Sequence, residues 1–134
     1  MDSGNSDALT FLVRPEAFSI HRLAPDAWVD FERLRTLSWY SITRTGEELS
    51  VVVPASFAME SDRQQGGWAC LRIAGTLDFA LVGVIARVSR VLAEAGISIF
   101  AVSTFDTDYL LVPQADLERA VAALTDAGHR VVRS

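Results

Sequence analysis

The chain of 134 residues contains no lysine: its twelve basic residues are all arginine, set against seventeen acidic ones for a formal net charge of −5. That balance argues against nucleic acid or an anionic membrane surface as a partner. Using arginine alone reads as genomic base composition, not chemistry. A single cysteine, Cys70, means that no disulfide can form within the chain and that a four-cysteine zinc site is excluded. No apolar run approaches the roughly 20 residues of a membrane-spanning helix. Residues 1–7 are polar and acidic, without the charged-then-apolar order of a signal peptide. A cytoplasmic protein is the expectation from these absences. The two histidines, His21 and His129, lie far apart and show no metal-ligand spacing, so no metal is expected. Ser103, Asp106 and His129 can be imagined as a hydrolase set, but no nucleophile elbow or oxyanion motif accompanies them.

What is present is apolar residue in quantity: 50% of the chain is hydrophobic and 22% charged, the composition of a folded protein. The length suits one ordinary domain or two very small ones, burying roughly 65–70% of the unfolded surface. The organising stretch is residues 97–112, two β-branched and aromatic runs on either side of Asp106-Thr107. That is the signature of a β-hairpin. Both parities of its strands are largely apolar, which predicts a central hairpin covered on both faces. Asp106 and Asp108 sit at its turn, close to the hydroxyls of Ser103 and Thr104.

The remaining elements follow from pattern. Strands are expected at 9–13 and 17–23, joined across Arg14-Pro15-Glu16. A short helix then runs to Arg35, with Trp28, Phe31 and Leu34 at helical spacing. Strands at 39–43 and 49–53 come next, and a helical turn from Pro54 to Met59. Residues 61–67, polar with a double glycine, read as a linker. A strand at 68–74 and a connector at 75–79 lead into a helix at 80–95, whose apolar stripe is Leu81, Val84, Ile85, Val88, Val91 and Leu92. Gly96 stops it. After the hairpin come a helix at 114–127, with Leu117, Ala120, Val121 and Leu124 inward, and a last strand at 129–133. Trp28, Trp39 and Trp68 read as core or interface anchors and Cys70 as a small core residue.

The second half thus reads β-α-β-β-α-β, the ferredoxin-like unit. The first half repeats it weakly and lacks a closing strand. The strand at 9–13, hairpinned to that at 17–23, is expected to fill this vacancy. The fold class is α+β, two tandem ferredoxin-like units with the first incomplete or rearranged, divided as 8–62 and 67–134.

Three stretches carry a family resemblance: Trp39-Tyr40-Ser41-Ile42-Thr43-Arg44-Thr45, Gly75-Thr76-Leu77-Asp78-Phe79, and residues 92–109 with their Asp106-Thr107-Asp108. Together the chain resembles the small tandem ACT-domain proteins, relatives of the aspartate-kinase regulatory domains and of CASTOR-type amino-acid sensors. The resemblance implies a non-catalytic regulatory protein without a cofactor. It would bind a free amino acid at the seam between ACT units and form an oligomer, here expected to be a homodimer. The other reading is a structural or protein-interaction module with no physiological ligand.

Topology points to the same place. In such a unit the first strand ends where the first helix begins, and the hairpin turn lies at that same end. Free amides at a helix start favour a carboxylate, and aspartates favour an ammonium group. The candidate ligand-binding residues are therefore Gly75, Leu77, Asp78, Phe79, Leu81, Val82 and Gly83 from the connector and helix start, with Ser103, Thr104, Asp106 and Asp108 from the hairpin. Within this set Asp108 is expected to contact the cation, Asp78 to cap the helix, and Asp106 to serve the turn. Ala80 and Val82 stand where the resemblance leads one to expect hydroxyl side chains.

Overall fold

The structure, a computed structural model, describes residues 8–74 and 83–133. Its contacts divide these into two compact units, one of Glu16–Gly67 and one that joins residues 8–15 to residues 68–133.

In the discontinuous unit the elements are β1 (Thr10–Val13), the part of β5 (Arg63–Ile73) from Trp68 on, α2 (Val84–Glu94), β6 (Phe100–Ser103), β7 (Asp108–Pro113), a single 3-10 turn, α3 (Leu117–Asp126) and β8 (Arg130–Arg133). Strand pairing gives the order β8-β1-β5-β7-β6. Taken without β1, the chain from β5 to β8 is the expected β-α-β-β-α-β unit. β1 is not hairpinned to the next strand, as the sequence suggested. It is inserted between the first and last strands of this unit, antiparallel to β5 and parallel to β8. Backbone bonds fix it on both sides, from Ala74 N–H to the Thr10 carbonyl (2.8 Å) and from Arg130 N–H to the Leu9 carbonyl (2.9 Å). Alternation along β1 turns Phe11 and Val13 into the core beneath the helices.

That core lies on one face of the sheet, under the two helices. Phe11, Leu71, Ile73, Val88, Leu92, Leu110 and Leu124 are among its most enclosed members. The stripe read for the long helix holds, with Val84, Val88 and Leu92 buried and Ile85 and Val91 at its margins. Gly96 and Gly128, both at positive φ, terminate the helices as their positions suggested. β7 is covered on both faces, since adjacent Leu110 and Leu111 are each fully buried and Cys70 lies enclosed opposite Leu111. β6 differs from the expectation of a central hairpin. Its one partner among the described residues is β7, and its side chains are half-buried or exposed.

The contiguous unit holds β2 (Phe18–Leu23), α1 (Phe31–Leu34), β3 (Ser41–Arg44) and β4 (Leu49–Pro54), the strands antiparallel in the order β3-β4-β2. Its core is Val29, Leu34, Leu49, Val51 and Val53, and Phe18 meets Trp39 edge to face on the other side of the strands. The helix is one turn only, capped by Asp30, whose side chain accepts from Arg33 N–H at 3.2 Å. The expected helical stripe fails here, because Trp28 and Phe31 are 81% and 52% exposed. Arg44 takes the carbonyls of Pro25 and Ala27, acceptors that a longer helix would need for its own ladder. The turn after Pro54 closes with a single bond, Phe57 N–H to the Pro54 carbonyl, and no helix follows. Residues 63–67 are strand, not linker. The start of this segment is held by Asp62 N–H on the Arg22 carbonyl and by Ser61 Oγ 2.8 Å from His21 Nδ1.

Candidate functional site

The hairpin loop between β6 and β7 is built by two threonines. Thr104 N–H donates to the Thr107 carbonyl (2.8 Å), while the Thr104 hydroxyl accepts from Thr107 N–H (3.2 Å). Phe105 and Asp106 are thereby left at the exposed tip. Thr107 is buried, and its hydroxyl donates to the Ile73 carbonyl at 2.9 Å. This bond ties the hairpin turn to the end of β5. Arg72 pairs with Tyr109 in the register, so Asp108 stands opposite Ile73. The expected meeting of the third strand with the end of the first is present.

Asp108 shares a parity with Leu110 and Val112, both in the helix-covered core, and is itself half-buried. No hydrogen bond or ion pair to its carboxylate forms within the described residues. Across the hairpin it faces Ser103, which is exposed on β6. Asp106 is in water at the tip, Thr104 is spent on the turn, and neither points to the core. Gly83, at φ 83°, precedes α2, and among the described residues no side chain caps that helix start. Its carbonyl accepts from Arg87 N–H, opening the helical ladder. Gly75, Leu77, Asp78, Phe79, Leu81 and Val82 lie outside the described residues, as does Ala80.

Sequence reasoning missed Thr107. In the sequence it stands at a turn and inside the Asp106-Thr107-Asp108 run, yet it is the side chain that fixes the hairpin to β5.

The histidines are structural. His129 Nδ1 accepts Leu9 N–H at 3.0 Å, so the proton sits on Nε2, and its ring meets Phe11 edge-on at 5.7 Å. Burial and, secondarily, the nearby Arg87 charge push its pKa below the ordinary histidine value; burial does the same to His21. β6 and β8 are the two edges of the sheet, about 19 Å apart at four strand spacings. Ser103 and His129 therefore form no catalytic pair. Among the described residues no cluster of three metal-binding side chains occurs, and no helix is long and apolar enough to cross a membrane.

A βαββαβ sheet with a strand inserted beside its first one, and a hairpin turn tied to the end of that first strand, is the architecture of an ACT domain. The sequence matches the ACT domain profile over residues 63–126, and the chain belongs to the ACT-domain family. It is similar to protein Atu0741 from Agrobacterium tumefaciens, at 32% identity over 95% of this chain and 94% of that one, with a TM-score of 0.86. Its fold is also that of VC0802 from Vibrio cholerae, described as a possible transport protein (20% identity, 92% and 93% covered, TM-score 0.67). The regulatory subunit of aspartate kinase from Thermus thermophilus has it too (16% identity, 88% and 96% covered, TM-score 0.66).

Proposed function

We propose that the protein is a non-catalytic cytoplasmic sensor that binds a free amino acid at the sheet end carrying Asp108 and acts through association of two copies. The observation that supports this reading is Asp108 itself. A half-buried carboxylate with no partner among the described residues is costly to keep unless something cationic meets it, and the ammonium group of an amino acid would do so. The first amides of α2, which no described side chain caps, suit the ligand's carboxylate. Membership of the ACT-domain family supports a small ligand of this kind.

Association is supported by β6, whose outer side has no strand against it among the described residues and which carries half-buried Phe100 and Val102. A second copy would close over the ligand from there.

Thermal shift against the twenty amino acids tests the proposal. One of them, present at 100 times its Kd, is expected to add roughly 2.7 kcal/mol of stability. No shift with any of them would favour an interaction module without a small ligand.

A further inference from the structure

At the C-terminal ends of the parallel strands β1 and β8 lies a cleft of about 250 Å³, lined by Leu12, Val13, Arg14, Pro15, Arg72, Val132 and Arg133. Register explains its make-up. Leu12 stands opposite Arg72 on one side and Val132 on the other, so these three form a row. The row is on the face away from the helices, because Phe11, Ile73 and Val131 take the other parity. Asp108, on the helix-covered face, belongs to a different site.

The chemistry of the lining is one-sided. Three arginines and four aliphatic residues contribute, and no acidic residue does, in a chain whose net charge is −5. Arg133 is held by Glu118 at 2.8 Å. Arg72 is not held. The guanidinium groups of four arginines, Arg63, Arg72, Arg90 and Arg130, make no hydrogen bond or ion pair within the described residues, and Arg72 alone of the four is half-buried, the other three being exposed. A half-buried guanidinium with five donors, set beside aliphatic walls, calls for a planar anion with an apolar body.

We infer that this cleft is a second ligand site, for a small aliphatic carboxylate bound to Arg72 with its hydrocarbon against Leu12, Pro15 and Val132. The volume equals about eight waters, which limits the ligand to a handful of carbons. A free amino acid suits it poorly, because no carboxylate in the lining can receive an ammonium group. The deaminated counterpart, a 2-oxo or simple branched carboxylate, carries the anion without that cation. Inorganic phosphate satisfies the guanidinium but leaves the aliphatic wall unused. The inference stands apart from the amino-acid site proposed above.

The test is amide NMR of the full chain titrated with 4-methyl-2-oxopentanoate, leucine and inorganic phosphate in turn. The oxo acid is expected to shift the amides of Leu12, Val13, Arg14, Val132 and Arg133 saturably, and the other two probes to leave them in place. Arg72→Gln should weaken that binding at least about tenfold without lowering the melting temperature, and Arg72→Lys should restore part of it. The inference is overturned by no saturable shift at these amides. It is equally overturned by phosphate or leucine binding there as tightly as the oxo acid, or by equal affinity of Arg72→Gln and the parent. Shifts at Asp108 and Ser103 with leucine report on the other site and leave this outcome unchanged.

Discussion

The hydroxyl of Thr107 donates to the carbonyl of Ile73 at 2.9 Å, in a position where neither group reaches water. A strand-end carbonyl left without its donor loses the full desolvation term, about 1–3 kcal/mol. Thr107→Val keeps the shape and removes the donor, so it should destabilise the fold by about that amount, while Thr107→Ser should cost less. Urea unfolding of the two variants checks this. Equal stability of Thr107→Val and the parent would mean that the turn holds without the bond.

The three aspartates of the candidate site should behave differently. A charge-assisted bond from half-buried Asp108 is worth roughly 1.5–3 kcal/mol, so Asp108→Asn should weaken amino-acid binding about tenfold or more. Asp106 is exposed at the tip, where a pairing contributes about 0–1 kcal/mol, and Asp106→Asn should change affinity little. Asp78→Asn is expected to lower the melting temperature more than the affinity, as a helix cap would. Titration calorimetry with melts alongside separates the three; unchanged affinity in Asp108→Asn sinks the assignment.

Acid should loosen the unit that holds His129. Its imidazole accepts Leu9 N–H on Nδ1 and must be neutral there. Because burial lowers its pKa in the fold, the unfolded chain binds the proton more readily. The stabilising contribution is therefore complete above the ordinary value of 6.5 and is lost as pH falls from there towards the lowered folded value. His21 adds a slope of the same sign. Urea melts at several pH values from about 7.5 down to 5.5 should show stability falling, and His129→Gln should flatten that fall without abolishing it. A parent curve flat across the window would contradict this account.

A fragment of residues 67–134 should not fold alone. It lacks Phe11 and Val13 from its core and the strand that separates β5 from β8. No sharp melt and no dispersed amide spectrum are expected, and a peptide covering residues 8–15 should restore some of both. A cooperative melt of the bare fragment would disprove the dependence.

The sequence was most legible where a periodic pattern also decided the partner. Val84, Val88 and Leu92 at helical spacing needed only an apolar sheet to lie on, whereas the hairpin expected to be covered on both faces is so at Leu110 and Leu111 of β7 and not along β6. β1 was found, but its place was not, because alternation says which face of a strand is buried and nothing about its neighbours. Trp28 and Phe31 imitated a helix whose carbonyls Arg44, remote in sequence, had already taken. Asp108 could be placed from topology alone. The role of Thr107 depended on a carbonyl 34 residues earlier, which no local pattern encodes.

The inserted position of β1 also bears on how the chain is made. Phe11 meets Ile73, 62 residues later, and Val131, 120 residues later. A strand synthesised early lacks its first neighbour until β5 has left the ribosome and its second until β8 has. Its apolar residues, Phe11 and Val13, are exposed throughout that interval. Such distant pairing slows folding by its loop-closure entropy, and it makes the nascent segment 8–15 the natural target for a holding chaperone or a chance strand partner.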